Sequence, residues 1–199
     1  QPQNLATVIS TLDVLRTRGM EIPEEIRFTK DMEEVCRDKE ILLFAVPSPF
    51  VRATARKAAK YVKGNQIIVD VAKGIEPDTL MTMTEVIRDE LNRDGQHADV
   101  KLVALSGPTH AEEVALDMPT AIVSACTDMA VAEVVQDTFM DTCMRTYTNG
   151  DVLGVELCGV LLGSGLNEDM AKALGGYGAD RVYVCDHPLL KNYTTDGYT

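Results

Sequence analysis

Apolar residues fall in two alternating rhythms along this chain. Leu5, Val8, Ile9, Leu12 and Leu15 share one helical stripe and predict a helix over residues 4 to 17. Pro23 interrupts, and Thr29 to Cys36 reads as a short acidic helix or turn. Ile41 to Val46 is a short continuous apolar run, the pattern of a buried strand. After Pro49, the residues Val51, Ala55, Ala58, Ala59 and Val62 mark a helix, and Gln66 to Asp70 a second strand. Leu80, Met83, Ile87 and Leu91 form the inner stripe of a helix for which Asp78 or Thr79 is the expected cap. Then come a strand at 101–105, a helix from about Ala111, a strand at 119–125, a helix at 129–139 and a strand near 144–148. Strands alternating with helices predict an α/β protein, with a mainly parallel sheet covered on both faces.

Charge narrows the function classes. The 199 residues carry a formal charge of −12, and the sequence pI is near 4.6. Nucleic-acid surfaces need clustered Lys and Arg to neutralise phosphates, so no nucleic-acid partner is expected. No apolar run approaches the roughly 20 residues needed to span a bilayer, and no charged-then-apolar leader opens the chain. The five cysteines (Cys36, Cys126, Cys143, Cys158 and Cys185) include no Cys-x-x-Cys pair. Neither zinc nor a disulfide framework is suggested, and a reducing cytoplasm is expected.

Chemistry concentrates where strands end. Open α/β sheets bind ligands at the carboxyl ends of their strands. Val71-Ala72-Lys73-Gly74 follows one strand and offers a cation beside a glycine. Leu105-Ser106-Gly107-Pro108-Thr109-His110-Ala111-Glu112-Glu113 follows another, with small residues, hydroxyls and the start of a helix. That combination suits a phosphate or another anion.

The wording of these loops resembles NAD(P)-dependent glycerol-3-phosphate dehydrogenase of the bacterial type. The resemblance runs from Ala45-Val46-Pro47-Ser48 through Val71-Ala72-Lys73-Gly74-Ile75-Glu76 and the Ser106-Gly107-Pro108-Thr109 string. It continues through Met118-Pro119-Thr120-Ala121-Ile122-Val123 to Tyr147-Thr148-Asn149-Gly150-Asp151-Val152-Leu153-Gly154-Val155-Glu156-Leu157. It implies a Rossmann-like fold and interconversion of dihydroxyacetone phosphate and sn-glycerol 3-phosphate with NAD or NADP, serving glycerophospholipid synthesis, and a possible homodimer. It also implies that Lys73 is catalytic and touches substrate and cofactor, that Gly107 and Thr109 hold glycerol phosphate, and that Ala111 lies against the cofactor. A fixed ammonium makes sense there, because hydride transfer to a ketone builds negative charge on its oxygen.

Two departures shape the expectation. No Gly-x-Gly-x-x-Gly turn occurs in the 199 residues, so the Rossmann-like unit is read as incomplete and cofactor binding as weak. The lysine that the family uses as its general base falls at Leu162, so this chain is expected to have little turnover. The last stretch resembles the α subunit of electron-transfer flavoprotein. It runs through Leu153 to Gly163, Tyr177-Gly178-Ala179-Asp180-Arg181-Val182-Tyr183-Val184 and Leu189 to Thr199. The chain therefore reads as a fusion, 1–152 of dehydrogenase type and 153–199 of flavoprotein type. The second part is expected to form a β-α-β unit with residues 155–162 extended. Gly154, Gly159 and Gly163 weaken a helix there by about 1 kcal/mol each relative to Ala. A flavoprotein-subunit fragment and an inactive fused α/β domain are the alternatives.

Other polar residues carry plainer readings. His110 is taken as a helix-start packing residue, although imidazole titrates near neutrality. Asp70 lies inside an apolar strand, where an unpartnered carboxyl is costly, so a hydrogen-bonded structural role is expected. Arg52, Arg56 and Lys57 read as a solvated helix face more readily than as cofactor ligands.

Overall fold

The computed structural model describes residues 25–95, 97, 99–109, 114, 116–140 and 142–164. The helix expected over 4–17 and everything beyond 164 lie outside the described residues. The chain divides into two units, Gln1–Val35 and Cys36–Thr199. In the first, the described residues lead into helix α1 (Met32–Cys36), where the Glu33 N–H donates to Asp31 Oδ1 at 2.9 Å.

The second unit is built on a five-stranded sheet in the order β1 (Ile41–Phe44), β2 (Ile67–Asp70), β3 (Lys101–Ser106), β4 (Thr120–Ala125), β5 (Met144–Asn149). β1, β2 and β3 are parallel, β4 runs antiparallel to β3, and β5 is parallel to β4. The expected mainly parallel, Rossmann-like sheet is therefore present with one reversal. The helix expected from about Ala111, between β3 and β4, falls almost wholly outside the described residues. Helix α2 (Val51–Ala58) connects β1 to β2, and α3 (Met83–Leu91) connects β2 to β3. Helix α4 (Met129–Met140) lies between β4 and β5 in the chain.

Val69, Val103, Leu105 and Ile122 form one buried cluster with Cys126 and with Ala132 and Val135 of α4. Strand side chains alternate between faces. Ile68, Asp70, Ala104 and Ser106 consequently point to the opposite face, and Asp70 stands beside Ala104 in register.

Three expectations are corrected. Residues 155–162 are not extended: Val152–Ser164 is a helix, α5, packed against β3 and β4. Asp151 starts it, with its Oδ1 accepting the Gly154 N–H at 2.9 Å. Gly159, expected to weaken the helix, lets it approach the sheet instead, since a Cβ there would collide with Ser106 Oγ. The expected C-terminal β-α-β unit thus lacks its first strand, and its remainder lies outside the described residues. The α3 cap is Thr82, not Asp78 or Thr79; its N–H donates to Glu85 Oε2 at 2.9 Å. Leu80 precedes the helix at φ 58°, so it does not belong to the stripe.

The third correction concerns α2. Arg52 and Arg56 do not simply face solvent. Arg52 Nε and Nη2 each donate to Glu76 at 2.6 Å, and Nη1 reaches Glu90 Oε1 at 2.8 Å and also pairs with Asp89. Arg56 donates to both Glu90 oxygens at 2.9 Å. The carboxylate lies on α3 and its side chain is fully buried, so the two helices are joined by ion pairs as well as by Val51, Ala55, Val86 and Leu91. Among the described residues, no helix is long and apolar enough to cross a membrane.

Candidate active site at the ends of two parallel strands

Lys73 stands three residues past β2, in the loop that leads towards α3. Gly74 beside it has φ +152°, and a Cβ there would fall 2.8 Å from Ser48 Cβ. Only glycine lets the loop turn against the end of β1 in this way. The neighbouring parallel strand β3 ends at Ser106 and runs into Gly107. A Cβ on Gly107 would lie 2.7 Å from the Ala121 carbonyl oxygen and 3.0 Å from Ile122 Cα. Absence of a side chain is what lets this loop lie flat on β4.

The two loops meet through Lys73. Its ammonium donates to the Gly107 carbonyl at 2.9 Å and to the Thr109 carbonyl at 3.2 Å. The Gly107 carbonyl also accepts the Thr109 N–H at 2.8 Å, which closes a tight turn around Pro108. An ammonium has three N–H donors. Two are used on carbonyls, and the third has no partner among the described residues. Partial burial disfavours the charged form and lowers the Lys73 pKa below the ordinary lysine value. The arrangement is a cation aimed by two carbonyl dipoles, with one donor left for an incoming oxygen.

Lys73, Gly107 and Thr109 therefore converge at one edge of the sheet, as their parallel strands require. Ala111 and His110 lie outside the described residues. Asp70 is buried and its carboxyl is hydrogen-bonded by the Ala72 backbone, in keeping with a structural role, while its Oδ1 has no hydrogen-bond partner among the described residues. Burial, and then repulsion from Glu156, push its pKa up to about 8, against the Ala72 backbone N–H, which lowers it.

Glu156 was not anticipated from the sequence. It projects from α5, is buried, and accepts three hydrogen bonds from the start of α3. These come from Thr82 Oγ1 at 2.8 Å, the Thr84 N–H at 2.9 Å and Thr84 Oγ1 at 2.6 Å. The available signal was a single carboxylate between Val155 and Leu157 in an otherwise apolar run. Burial raises the Glu156 pKa, while these three donors oppose the rise.

Comparison with known proteins bears on what this geometry serves. Residues 9–132 match the family described as NAD-dependent glycerol-3-phosphate dehydrogenase N-terminus. Residues 128–199 match the electron transfer flavoprotein domain. The chain is 62% identical over 160 residues to glycerol-3-phosphate dehydrogenase [NAD(P)+] 2 of Lactobacillus delbrueckii subsp. bulgaricus, covering 80% of this chain and 48% of that protein. It is 48% identical over 143 residues to the enzyme of Agathobacter rectalis, covering 72% and 41%. The chain thus spans about half the length of these relatives or less. Among solved structures, glycerol-3-phosphate dehydrogenase of Coxiella burnetii aligns with TM-score 0.61 at 26% identity, over 69% of this chain and 40% of that one. The yeast enzyme aligns at 0.60 with 21% identity, over 79% and 49%, which speaks to the fold alone.

Proposed function

Because this chain belongs to the NAD-dependent glycerol-3-phosphate dehydrogenase family, an oxidoreductase family using NAD(P), we propose that it supplies the substrate-facing part of such an enzyme. The substrate is dihydroxyacetone phosphate or, in reverse, sn-glycerol 3-phosphate. One observation carries the reading: the Lys73 ammonium donates to the Gly107 and Thr109 carbonyls, with its third donor unused among the described residues.

In this reading Lys73 donates that third N–H to the oxygen on carbon 2 of the ketone. Negative charge grows on this oxygen during reduction, and an ammonium already oriented by two carbonyls stabilises it without reorganising. Partial burial strengthens the effect, because a charge in a drier setting acts through a lower effective dielectric. The turn Gly107-Pro108-Thr109 holds the phosphate-bearing side of the substrate, and the Thr109 hydroxyl is a further donor there. Ala111 belongs to the cofactor-facing side of the same loop. The residues present fit the reacting end of a nicotinamide: a cation held between the backbone carbonyls of a neighbouring loop. When bound, the reduced nicotinamide supplies the hydride. The described loops contain no glycine-rich turn for its pyrophosphate, so nothing further is assigned to cofactor binding.

The division into 1–152 and 153–199 belongs to the same proposal. Two family matches, over 9–132 and 128–199, support a two-part chain, although they overlap about twenty residues before Leu153 and α5 packs against β3 and β4 of the first part. A cytoplasmic setting and a homodimer belong to the same reading. The test is thermal unfolding of the chain with sn-glycerol 3-phosphate, glycerol or inorganic phosphate. Stabilisation by glycerol 3-phosphate above both fragments, lost in Lys73→Ala, supports the proposal. Equal shifts in both proteins contradict it.

A further inference from the structure

Two carboxyl groups lie buried beneath the Lys73 loop, and the mechanism above uses neither. Asp70 is the last residue of β2, three positions before Lys73, and is 3% exposed. Glu156 reaches it from α5 and is 7% exposed. The sheet explains how they meet. Asp70, Ala104 and Ser106 share one face of adjacent parallel strands. α5 crosses that face so closely that Gly159 has no room for a side chain above Ser106. Glu156, three residues earlier on the same helix, is buried on α5 near enough for its charge to act on Asp70.

We propose that Asp70 and Glu156 are a coupled pair of buried carboxyls that carries a single negative charge, and that this pair positions the Lys73 loop, a role that rests on Lys73 being the substrate-facing cation.

Two facing carboxylates in a dry setting cannot both be charged cheaply, so such a pair takes its protons in two separated steps. The surroundings decide which partner stays ionised. Glu156 has three donors, from Thr82 and Thr84, whereas Asp70 has an oxygen with none. Glu156 therefore keeps the charge and Asp70 keeps the proton. The backbone packed beside Asp70 adds no titratable group, since its register neighbours are Phe44 on β1 and Ala104 on β3. From α5 the facing group is Glu156, and Glu85 of α3 acts on Glu156 in turn.

Coupling to Lys73 runs through two residues of backbone. The Ala72 N–H interacts with the Asp70 carboxyl, and Ala72 adjoins the residue whose ammonium bridges to Gly107 and Thr109. Ionising Asp70 beneath an ionised Glu156 sets two like charges against each other. The partner that can yield is the loop, because Glu156 is tied to α3 by three hydrogen bonds. Asp70 is thus a positioning residue and not a catalytic one.

The pair is tested by following the backbone amide resonances of Ala72 and Lys73 from pH 5 to 9.5 in the whole chain, with no ligand. The expected result is a common titration with a midpoint near 8, absent in Asp70→Asn. In Glu156→Gln the midpoint falls, because the repelling charge is gone. A second arm measures sn-glycerol 3-phosphate binding at pH 7 and pH 9. Wild type loses about tenfold over that interval beyond whatever Asp70→Asn loses, since a group with a midpoint near 8 is about nine-tenths ionised one unit above it. The comparison removes the titrations of Lys73 and of the phosphate, which both proteins share. A wild-type amide midpoint in the ordinary carboxylate range near 4 overturns the pair. So does a midpoint near 8 that survives Asp70→Asn. Equal pH dependence of binding in both proteins overturns the positioning role. If neither protein binds glycerol 3-phosphate at any pH, the functional reading fails, and the amide titration alone decides the pair.

Discussion

The Lys73 ammonium sits 2.9 Å from the Gly107 carbonyl oxygen and so joins the loops that leave two neighbouring parallel strands. This single bond fixes the spacing of the site. β2 and β3 are in register from Ile67 beside Lys101 to Asp70 beside Ala104, so the residues just beyond their ends open on the same edge. Lysine reaches across because its stem is long, and the carbonyl accepts because Gly107 lies flat on β4.

Gly107→Ala is expected to lower stability by about 1–3 kcal/mol, the usual cost of forcing extra volume into a packed site. The new methyl would meet the Ala121 carbonyl oxygen at 2.7 Å, and backbone cannot rotate away as a side chain can. Denaturant unfolding measures the loss. A variant as stable as wild type would show that the loop does not lie against β4 in solution.

Gly159→Ala tests how closely α5 approaches the sheet. Its methyl would fall on Ser106 Oγ, so the single variant is expected to be destabilised by roughly 1–3 kcal/mol. Ser106→Gly in the same chain should recover most of that, because it removes the atoms being struck. A double-mutant cycle reads the coupling. Simple additivity would mean that the two residues do not touch.

Glu156→Ala leaves the Thr84 N–H and two threonine hydroxyls without their acceptor. The expected cost is about 2–4 kcal/mol, since each buried unpaired group carries a desolvation penalty. Glu156→Gln keeps an acceptor oxygen and should lose less. Equal losses in the two variants would place the effect in packing and not in these bonds.

Glu90 predicts an acid response. Its hydrogen bonds from Arg56 and then Arg52, against the cost of burial, hold its pKa down to about 2. A carboxylate whose pKa is lowered by folding contributes stability above its unfolded value near 4.5, and that contribution fades as pH falls towards 2. Arg52→Ala is expected to cost about 1–3 kcal/mol at pH 7, with Arg56 and Arg93 still near the carboxylate. The difference between the two proteins should shrink as pH is lowered through that window. A pH-independent difference would assign the loss to contacts of the arginine stem instead.

The order of strands and helices from Ile41 to Asn149 was readable because each element carries its own periodicity. Short apolar runs gave the strands, and three-and-four stripes such as Met83, Ile87 and Leu91 gave the helices. The meeting of Lys73 with Gly107 and Thr109 followed from parallel neighbours alone. What escaped was decided by tertiary contact. Residues 152–164 contain glycines that local propensity counts against a helix, yet Asp151 starts that helix and Gly159 is needed for its approach to Ser106. Arg52 and Arg56 looked like a solvated face because their partners Glu76 and Glu90 lie 24 and 34 positions away in the chain. Glu156 looked like an isolated charge for the same reason, since Thr82 and Thr84 are more than seventy residues distant.

The most direct measurement of the central claim is the Lys73 side-chain nitrogen itself, followed by NMR in chain labelled with ¹⁵N-lysine. The resonance is assigned by its absence in Lys73→Arg. Adding sn-glycerol 3-phosphate should move the Lys73 Nζ signal saturably, while glycerol at the same concentration leaves it in place. A Lys73 signal unmoved by glycerol 3-phosphate, while amides elsewhere in the chain report its binding, would contradict the assignment of Lys73 as the substrate-facing cation.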